Sequence, residues 1–559
     1  TNGIYYNTNT MVRGDYWERA ASVELFDAAH SADLQVDCGV QISGGASREP
    51  AQSAKHSFSL VFKKRFGPGT LKYRFFPDTQ LDTFDDIVLR AGFNDSWTAR
   101  SANLHLPGQY LRDRFVRSLQ RSMGVDCGSS RFVHLYLDGL YWGLYDATSK
   151  PDAQYAGHRF GGDETDYDSI FPINGPAQVD LESGTWDAFT SMFAIVNVGT
   201  ITTARYAALQ QYLDMPRFAD YMLLNQWAMN SDWPRGNWRL LRERTRGGRF
   251  VYHSWDSEWT LTTQMPNWWQ TERGDPRYVI NGLGSNNDPT FAWCPGRVFW
   301  RLFNNAEFRL LYADRLQRWC FNGGPLYVDP AAPAWNPAQP ERNRPAARYA
   351  AMADEIDRAI VAESARWGDT VSWRAAQPYT RDDDWTLERD WVLNSLLTNR
   401  TAQFLGICRG TGLYPRIAAP VFAPQHGGLI TPGWQLSITN PSPLGTVYYT
   451  CDGSDPRTAF TGAVAPGALV ATGMPIALAQ STIVKARVLT TGTWSALTEA
   501  IFWCTNDNAA IRVTEVMYNP RGGGDYEFIE LKNCSSNILP IAGLQFDEGI
   551  YATVPEGVY

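Results

Sequence analysis

The residues with the clearest capacity for chemistry lie in "NSDWPRGNW", starting at Asn230. Asp232 and Asn237 have four residues between them, one able to accept a proton and the other able to ligate a metal. Two apolar runs follow, "NWRLLRER" and "RFVYHSWD", joined by "TRGG", and the second ends on Asp256. Read as a hairpin, they return Asp256 to the neighbourhood of Asp232 and Asn237. In a D-x-x-x-x-N arrangement of this kind the first aspartate takes the proton of an attacking hydroxyl. The asparagine and the later aspartate then hold the metal that bridges nucleotide phosphates. Mg²⁺ takes a few oxygen ligands besides phosphate, and Asn with Asp supply them. The same residues also suit a surface turn in which Asp232 and Asn237 satisfy local backbone groups. A third reading pairs Asp256 with Glu258 between Trp255 and Trp259 for sugar chemistry. Such carboxylates usually face each other across the sugar from different elements.

Phosphate chemistry also needs a cation near a glycine-bearing turn. "ISGGASREPAQSAKHSFSLVF" offers Gly44, Gly45, Ser47 and Arg48, then Lys55 entering a strand. The alternative is a loop between strands with Lys55 as a solvated charge. "YLRDRFVRSLQRSMG" could supply Asp113 as the acidic partner of Lys55, or Asp113 could pair with Arg117 one turn on.

These residues must be positioned by the elements around them. Up to about residue 165 the chain is rich in short alternating runs: "ASVELF", "LQVDCGVQISG", "HSFSLVF" and "RFVHLYLDGLYWGLYD". The last is a hairpin turning on "DG". One helix interrupts them, with Leu111, Phe115, Leu119 and Met123 at i+4 spacing and Gly124 as its stop. From about 180 to 410 helical periodicity prevails, in "MPRFADYMLLNQWAMN", "RVFWRLFNNAEFRLLYADRLQRWC", "ARYAAMADEIDRAIVAESARWG" and "RDWVLNSLLTNRTAQFLGI". After Gly410 a proline-bearing linker leads into short strands and turns to about Thr505, and a second such region opens at Ile511. The fold class is therefore α+β, with two β-sandwich modules after residue 418, the last incomplete.

A chain of 559 residues exceeds one ordinary core. Its net charge of −8 argues against a general nucleic-acid binder. No apolar run is long enough for a transmembrane segment. Eight cysteines without a CxxC pair or a Cys/His cluster argue against structural zinc. A start at Thr1 and a strand-like end at "VPEGVY" lead us to expect a segment of a longer protein.

Taken in order, "GGASREPAQSAKHSFSLVFKKRFGPGTLKY", "LRAGFNDSW", "YLRDRFVRSLQRSMG", "VHLYLDGLYWGLY", "NSDWPRGNW" and "WDSEWTL" resemble the CotH family, kinases related to spore coat protein H. The similarity covers roughly residues 1 to 410. It implies a bilobal, atypical protein-kinase-like domain, with a strand-rich lobe at 1–165 and a helical lobe at 166–412. It also implies ATP with Mg²⁺ or Mn²⁺, and Ser/Thr acceptors on secreted or surface proteins. Asp232 becomes the catalytic aspartate, Asn237 and Asp256 the metal ligands, and Lys55 the nucleotide-phosphate lysine. Gly44, Gly45, Ser47 and Arg48 form its neighbouring loop. The chain departs from the family where a GLYxLxE-like pattern places a glutamate, since Ser149 stands there. That departure opens an alternative: a catalytically silent structural or adhesive surface protein using the kinase fold as a scaffold.

Residues 418–505 resemble the immunoglobulin-like C-terminal domain of chitobiases, with Asp452, Gly453, Ser454 and Asp455 as turn formers. Residues 509–559 resemble the start of a lamin-tail domain. Such modules imply a secreted, extracellular or cell-surface location and, by analogy, a carbohydrate or protein partner. That location implies disulfides, with Cys451–Cys504 and Cys294–Cys320 as the expected pairs.

Overall fold

The computed structural model describes residues 3–26, 34–79, 81–101, 106–173, 178–262, 292–442, 444–504, 511–518, 527–534, 539, 541, 544–546 and 552–554. The chain divides into two units, Thr1–Phe308 with Gly323–Thr411, and Arg309–Asn322 with Gly412–Tyr559. Helices and strands are mixed in the first, and the C-terminal region is rich in sheet, an α+β composition.

In the first unit, β1 (Arg19–Leu25), β2 (Leu34–Ser43) and β3 (Ser57–Val61) enter a six-stranded antiparallel sheet. A short ribbon of β4 (Leu71–Lys72) and β5 (Thr83–Phe84) precedes its remaining strands, β6 (Asp86–Arg90), β7 (Ser130–Leu137) and β8 (Leu140–Thr148). The sheet order is β1-β2-β3-β6-β8-β7. Ile42, Phe58, Leu60, Ile87, Leu89, Tyr145 and Ala147 pack one face of it against Phe75, Phe76 and Phe84. β7 and β8 turn on Asp138 and Gly139, whose φ of 49° and 79° are both positive, as a two-residue hairpin turn demands.

Between β6 and β7 runs α1 (Arg112–Ser122), whose stripe of Leu111, Phe115, Leu119 and Met123 is buried. Gly124 ends it at φ 88°. Three further helices, α2 (Ala153–Phe160), α3 (Asp187–Val196) and α4 (Thr203–Leu209), precede α5 (Met215–Trp227). Asp214 caps α5 by accepting the Arg217 N–H at 3.0 Å, and every residue from Phe218 to Trp227 is buried. A second antiparallel sheet has the order β10-β9-β11-β12. Its strands are β9 (Tyr167–Pro172), β10 (Val179–Ser183), β11 (Trp238–Glu243) and β12 (Val251–Ser254).

β12 is held from two sides. Tyr252 stacks on Tyr221 of α5 at 5.3 Å, while Gln120 of α1 donates to the Tyr252 carbonyl and accepts from the Ser254 N–H, both at 2.7 Å. An amide bridging the two backbone groups fixes the register of a strand end. The helical stretch "ARYAAMADEIDRAIVAESARWG" falls in two helices, Arg344–Ile356 and Ala359–Trp367.

In the second unit, a three-stranded sheet (Val421–Ala423, Trp434–Thr439, Ile476–Leu478) accompanies a larger one centred on Thr482–Thr490. Leu436, Ile438, Val484, Val488 and Phe502 share its core. Asp452 accepts the Ser454 N–H at 2.9 Å within its turn, and Asp455 accepts from the buried Arg487 at 2.6 Å. Of the region expected at 509–559, most lies outside the described residues. The described part includes a hairpin of Ile511–Met517 with Phe528–Asn533.

All eight cysteines are free, which corrects both expected disulfides. Cys451 follows strand Thr446–Thr450, Cys504 ends strand Thr498–Cys504, and Thr482–Thr490 lies between those two strands. Strands two apart in a sheet are roughly 9–10 Å apart, beyond the Cα separation of about 7 Å that a disulfide tolerates. Cys294 and Cys320 are each buried as free thiols. Among the described residues no helix is long and apolar enough to cross a membrane.

Candidate functional site

The segment after α5 is built from buried anchors that leave polar side chains between them. Trp233 is buried, with its indole N–H donating to the Tyr221 hydroxyl at 2.7 Å. Ser231 donates from its backbone to the Trp259 carbonyl at 3.0 Å, and Asn230 donates to Asn225 Oδ1 at 2.9 Å. Asp232 and Asn237, between these anchors, stay half-buried. Asn237 Nδ2 donates to Asp232 Oδ2 at 2.8 Å and to the Asp232 carbonyl at 3.1 Å. The structure therefore joins the two residues directly.

Asp256 lies just past the open end of the hairpin that begins after Asn237. Trp238 pairs with Ser254 at the open end of β11 and β12, so Asn237 immediately precedes one strand and Asp256 lies two residues past the end of its neighbour. Both have left-handed backbones, with φ of 61° and 60°. Asn and Asp are the non-glycine types that best tolerate that region. Asp256 Oδ1 accepts from Arg90 Nη2, and its side chain is 45% exposed.

Arg90, at the end of β6, was absent from the sequence-based site. Besides Asp256 it reaches Glu258 Oε1 at 2.8 Å and stands 3.6 Å from Asp113 Oδ2. Burial opposes its charge, but Asp113, Asp256 and Glu258 together hold it well above its ordinary value. Burial, helped by Asp256, pushes Glu258 up to about 8 despite Arg90. Asp146, paired across the sheet with Arg90, is raised by burial to about 7. Arg90, Asp113, Asp146, Glu258, Tyr110 and Leu144 line one cavity of ≈ 20 Å³.

Lys55 departs from expectation. It is fully buried, and its partner is Glu363 Oε1 at 2.8 Å, not Asp113 and not solvent. Its ammonium also donates to the Leu144 carbonyl at 2.5 Å and lies 5.7 Å from the Tyr110 ring, two residues of the cavity wall. Burial lowers its pKa, with Glu363 opposing. Asp113 instead accepts from the Ser257 N–H at 2.7 Å, and it stands 3.8 Å from Arg117 one turn on.

Ser47 and Arg48 are buried, and Arg48 donates to the carbonyls of Ile42 and Val12, the latter at 2.6 Å. Gly44 adopts φ 110°, and its carbonyl accepts from Arg13 at 3.2 Å; Gly45 caps the 3-10 turn Ala46–Arg48. The loop's cation is thus directed into its own fold. Ser149 follows the end of β8, five residues from Leu144, where its hydroxyl accepts from the Ser129 N–H at 2.8 Å. At about 3.4 Å per residue it lies far along the strand from Lys55. The acidic partner of Lys55 comes from Glu363, 308 residues away in sequence.

The donor set can be tested against a hard divalent cation. Asn237 uses only its amide nitrogen towards Asp232, leaving a carbonyl oxygen, and Asp256 has one oxygen not engaged by Arg90. Among the described residues no three or more His, Cys, Asp or Glu form a metal cage. Mg²⁺ takes one or two carboxylates and fills its sphere with water and phosphate, so this sparse oxygen set fits it.

No curated protein matches the chain. Residues 436–501 match the family described as Fn3 associated. Residues 40–322, just over half of the 559, match the family described as CotH kinase protein and carry Lys55, Arg90, Asp232, Asn237 and Asp256. By that match, this chain belongs to the CotH kinase protein family.

Proposed function

We propose that the chain transfers phosphate from ATP, with Mg²⁺ or Mn²⁺, to Ser/Thr hydroxyls of a secreted or surface protein. In this reading 1–165 and 166–412 act as the two lobes of an atypical kinase domain. The C-terminal β modules, read as Ig-like sandwiches, contact a protein or carbohydrate partner outside the cell. The observation that carries the proposal is the Asp232–Asn237 hydrogen bond at the open end of the hairpin that leads to Asp256.

Asp232 takes the proton of the attacking hydroxyl at its carboxylate, and Asn237 Nδ2 fixes the orientation of that carboxylate. Asn237 Oδ1 and Asp256 would hold the metal, which supplies charge neutralisation on the transferring phosphoryl group. Lys55, oriented by Glu363 and the Leu144 carbonyl, lies behind the cavity wall from which it would address the phosphates. The Lys55–Glu363 pair supports an active enzyme despite Ser149, because it gives the lysine a carboxylate partner.

The test is incubation of the purified chain with labelled ATP and Mg²⁺ or Mn²⁺. Label should appear on Ser or Thr, and Asp232→Asn should lower the rate by roughly 10²–10⁴. Asp256→Ala should remove the thermal shift that ATP and metal give the wild type. Wild-type labelling that survives Asp232→Asn would place the chemistry elsewhere. Neither label nor shift would leave the scaffold reading standing.

A further inference from the structure

Three carboxylates surround Arg90, but they are fastened differently. Glu258 also accepts the Asn94 N–H at 2.8 Å, and Asp113 also accepts the Ser257 N–H at 2.7 Å. Both side chains are buried, at 8% and 7% exposure. Asp256 is 45% exposed, and the hydrogen bond recorded for its carboxylate among the described residues is the one from Arg90. The guanidinium is itself buried, 10% exposed, and lies 5.1 Å from the Trp255 ring. Arg90 thus approaches Asp256 from inside, while solvent reaches the same carboxylate from outside.

Resting on the kinase reading, we infer that Arg90 is a resident counter-cation for Asp256, holding that carboxylate when no metal is bound and yielding it when a divalent cation binds. A metal on Asp256 would place two positive charges within a few ångströms of a guanidinium, and their repulsion grows as the distance shrinks. Arg90 can release Asp256 without losing its own neutralisation, because Glu258 and Asp113 remain beside it. Linkage makes the competition reciprocal: Arg90 weakens metal binding by the factor with which metal weakens the Arg90–Asp256 contact. Arg90 is a positioning residue in this account, acting through Asp256.

The experiment measures Mn²⁺ binding to the full, nucleotide-free chain by calorimetry or by the electron paramagnetic resonance of free Mn²⁺. Arg90→Gln removes the charge while keeping a hydrogen-bonding side chain, and should tighten Mn²⁺ binding by roughly tenfold, within the usual range of coupling between sites. Arg90→Lys retains the charge as a compact ammonium without the planar fork and reach of the guanidinium. The buried Glu258 and Asp113 should keep it, so Mn²⁺ should bind more tightly than to wild type but less tightly than to Arg90→Gln. A purely structural role predicts weaker binding or none. Either variant, folded by its melting curve and binding Mn²⁺ no more tightly than wild type, overturns the inference. Failure of the wild type and both folded variants to bind Mn²⁺ overturns the metal reading beneath it.

Discussion

Asn237 and Asp256 hold left-handed backbones at the open end of one hairpin, and the strand beneath them is secured by residues that do no chemistry. His253, three residues before Asp256, is 4% exposed and its Nδ1 meets the Asp126 carbonyl at 3.0 Å. A carbonyl only accepts, so Nδ1 carries the proton. Burial pushes His253 from 6.5 down to about 4, with Asp126 opposing. The folded state therefore binds fewer protons than the unfolded one between these values. Stability from this group is present above pH 6.5 and is lost as pH falls towards 4. Between pH 7 and pH 5 the loss should be about 2 kcal/mol. Glu258 and Asp146, raised by burial, act in the opposite sense as pH rises, so the wild-type curve alone does not isolate the histidine. The measurement is the difference between wild type and His253→Asn, whose amide can still donate to Asp126. Urea unfolding at both pH values should show the variant losing less on acidification. Equal losses would mean His253 does not carry this proton linkage.

At the scale of elements, β8 clamps both members of a buried ion pair with its own backbone. Leu144 donates its N–H to Glu363 Oε2 at 2.7 Å and accepts from Lys55 through its carbonyl. Gly143 makes room for this, at φ 134°. A Cβ there would stand 2.6 Å from Glu363 Oε2, 2.9 Å from Trp367 Nε1 and 3.0 Å from Lys55 Cε. Gly143→Ala should therefore force the pair apart, and breaking a buried pair costs about 3–5 kcal/mol. Thermal melting should show a large fall, together with loss of any ATP-dependent shift. A variant that melts with the wild type and keeps the shift would show that the strand can yield. The β7–β8 hairpin, α1 and the turn after α5 were legible in sequence because "DG", an i+4 apolar stripe and D-x-x-x-x-N are local signals. Glu363 was not, because it sits within a helical pattern that gives no sign of which strand it will meet. Arg90 was visible in "LRAGFNDSW" as one charge among many. Its role depends on a contact with Asp256, 166 residues on, that only the packing of β6 beside the hairpin end creates.

At the scale of the whole molecule the cysteines give the sharpest departure from expectation. An expected extracellular location suggested two disulfides, but sheet order decides whether Cys451 meets Cys504, and composition does not encode that order. Six cysteines are buried, and Cys451 and Cys534 are exposed. Burial pushes the Cys127 and Cys294 thiols up to about 12 and Cys38 up to about 11. The thiolate is the reacting form, and an ordinary thiol titrates near about 8.5. Buried thiols are therefore slowed twice, by lack of access and by scarcity of thiolate. Brief treatment of the folded chain with iodoacetamide at pH 8, read by intact mass, should add two labels, at Cys451 and Cys534. Treatment in denaturant without reductant should add eight, since every cysteine is a free thiol. Six labels in denaturant would reveal a cross-link, and peptide mapping would show whether it joins Cys451 to Cys504. That bond would require a different strand order in the second unit, because Thr482–Thr490 could no longer lie between their two strands.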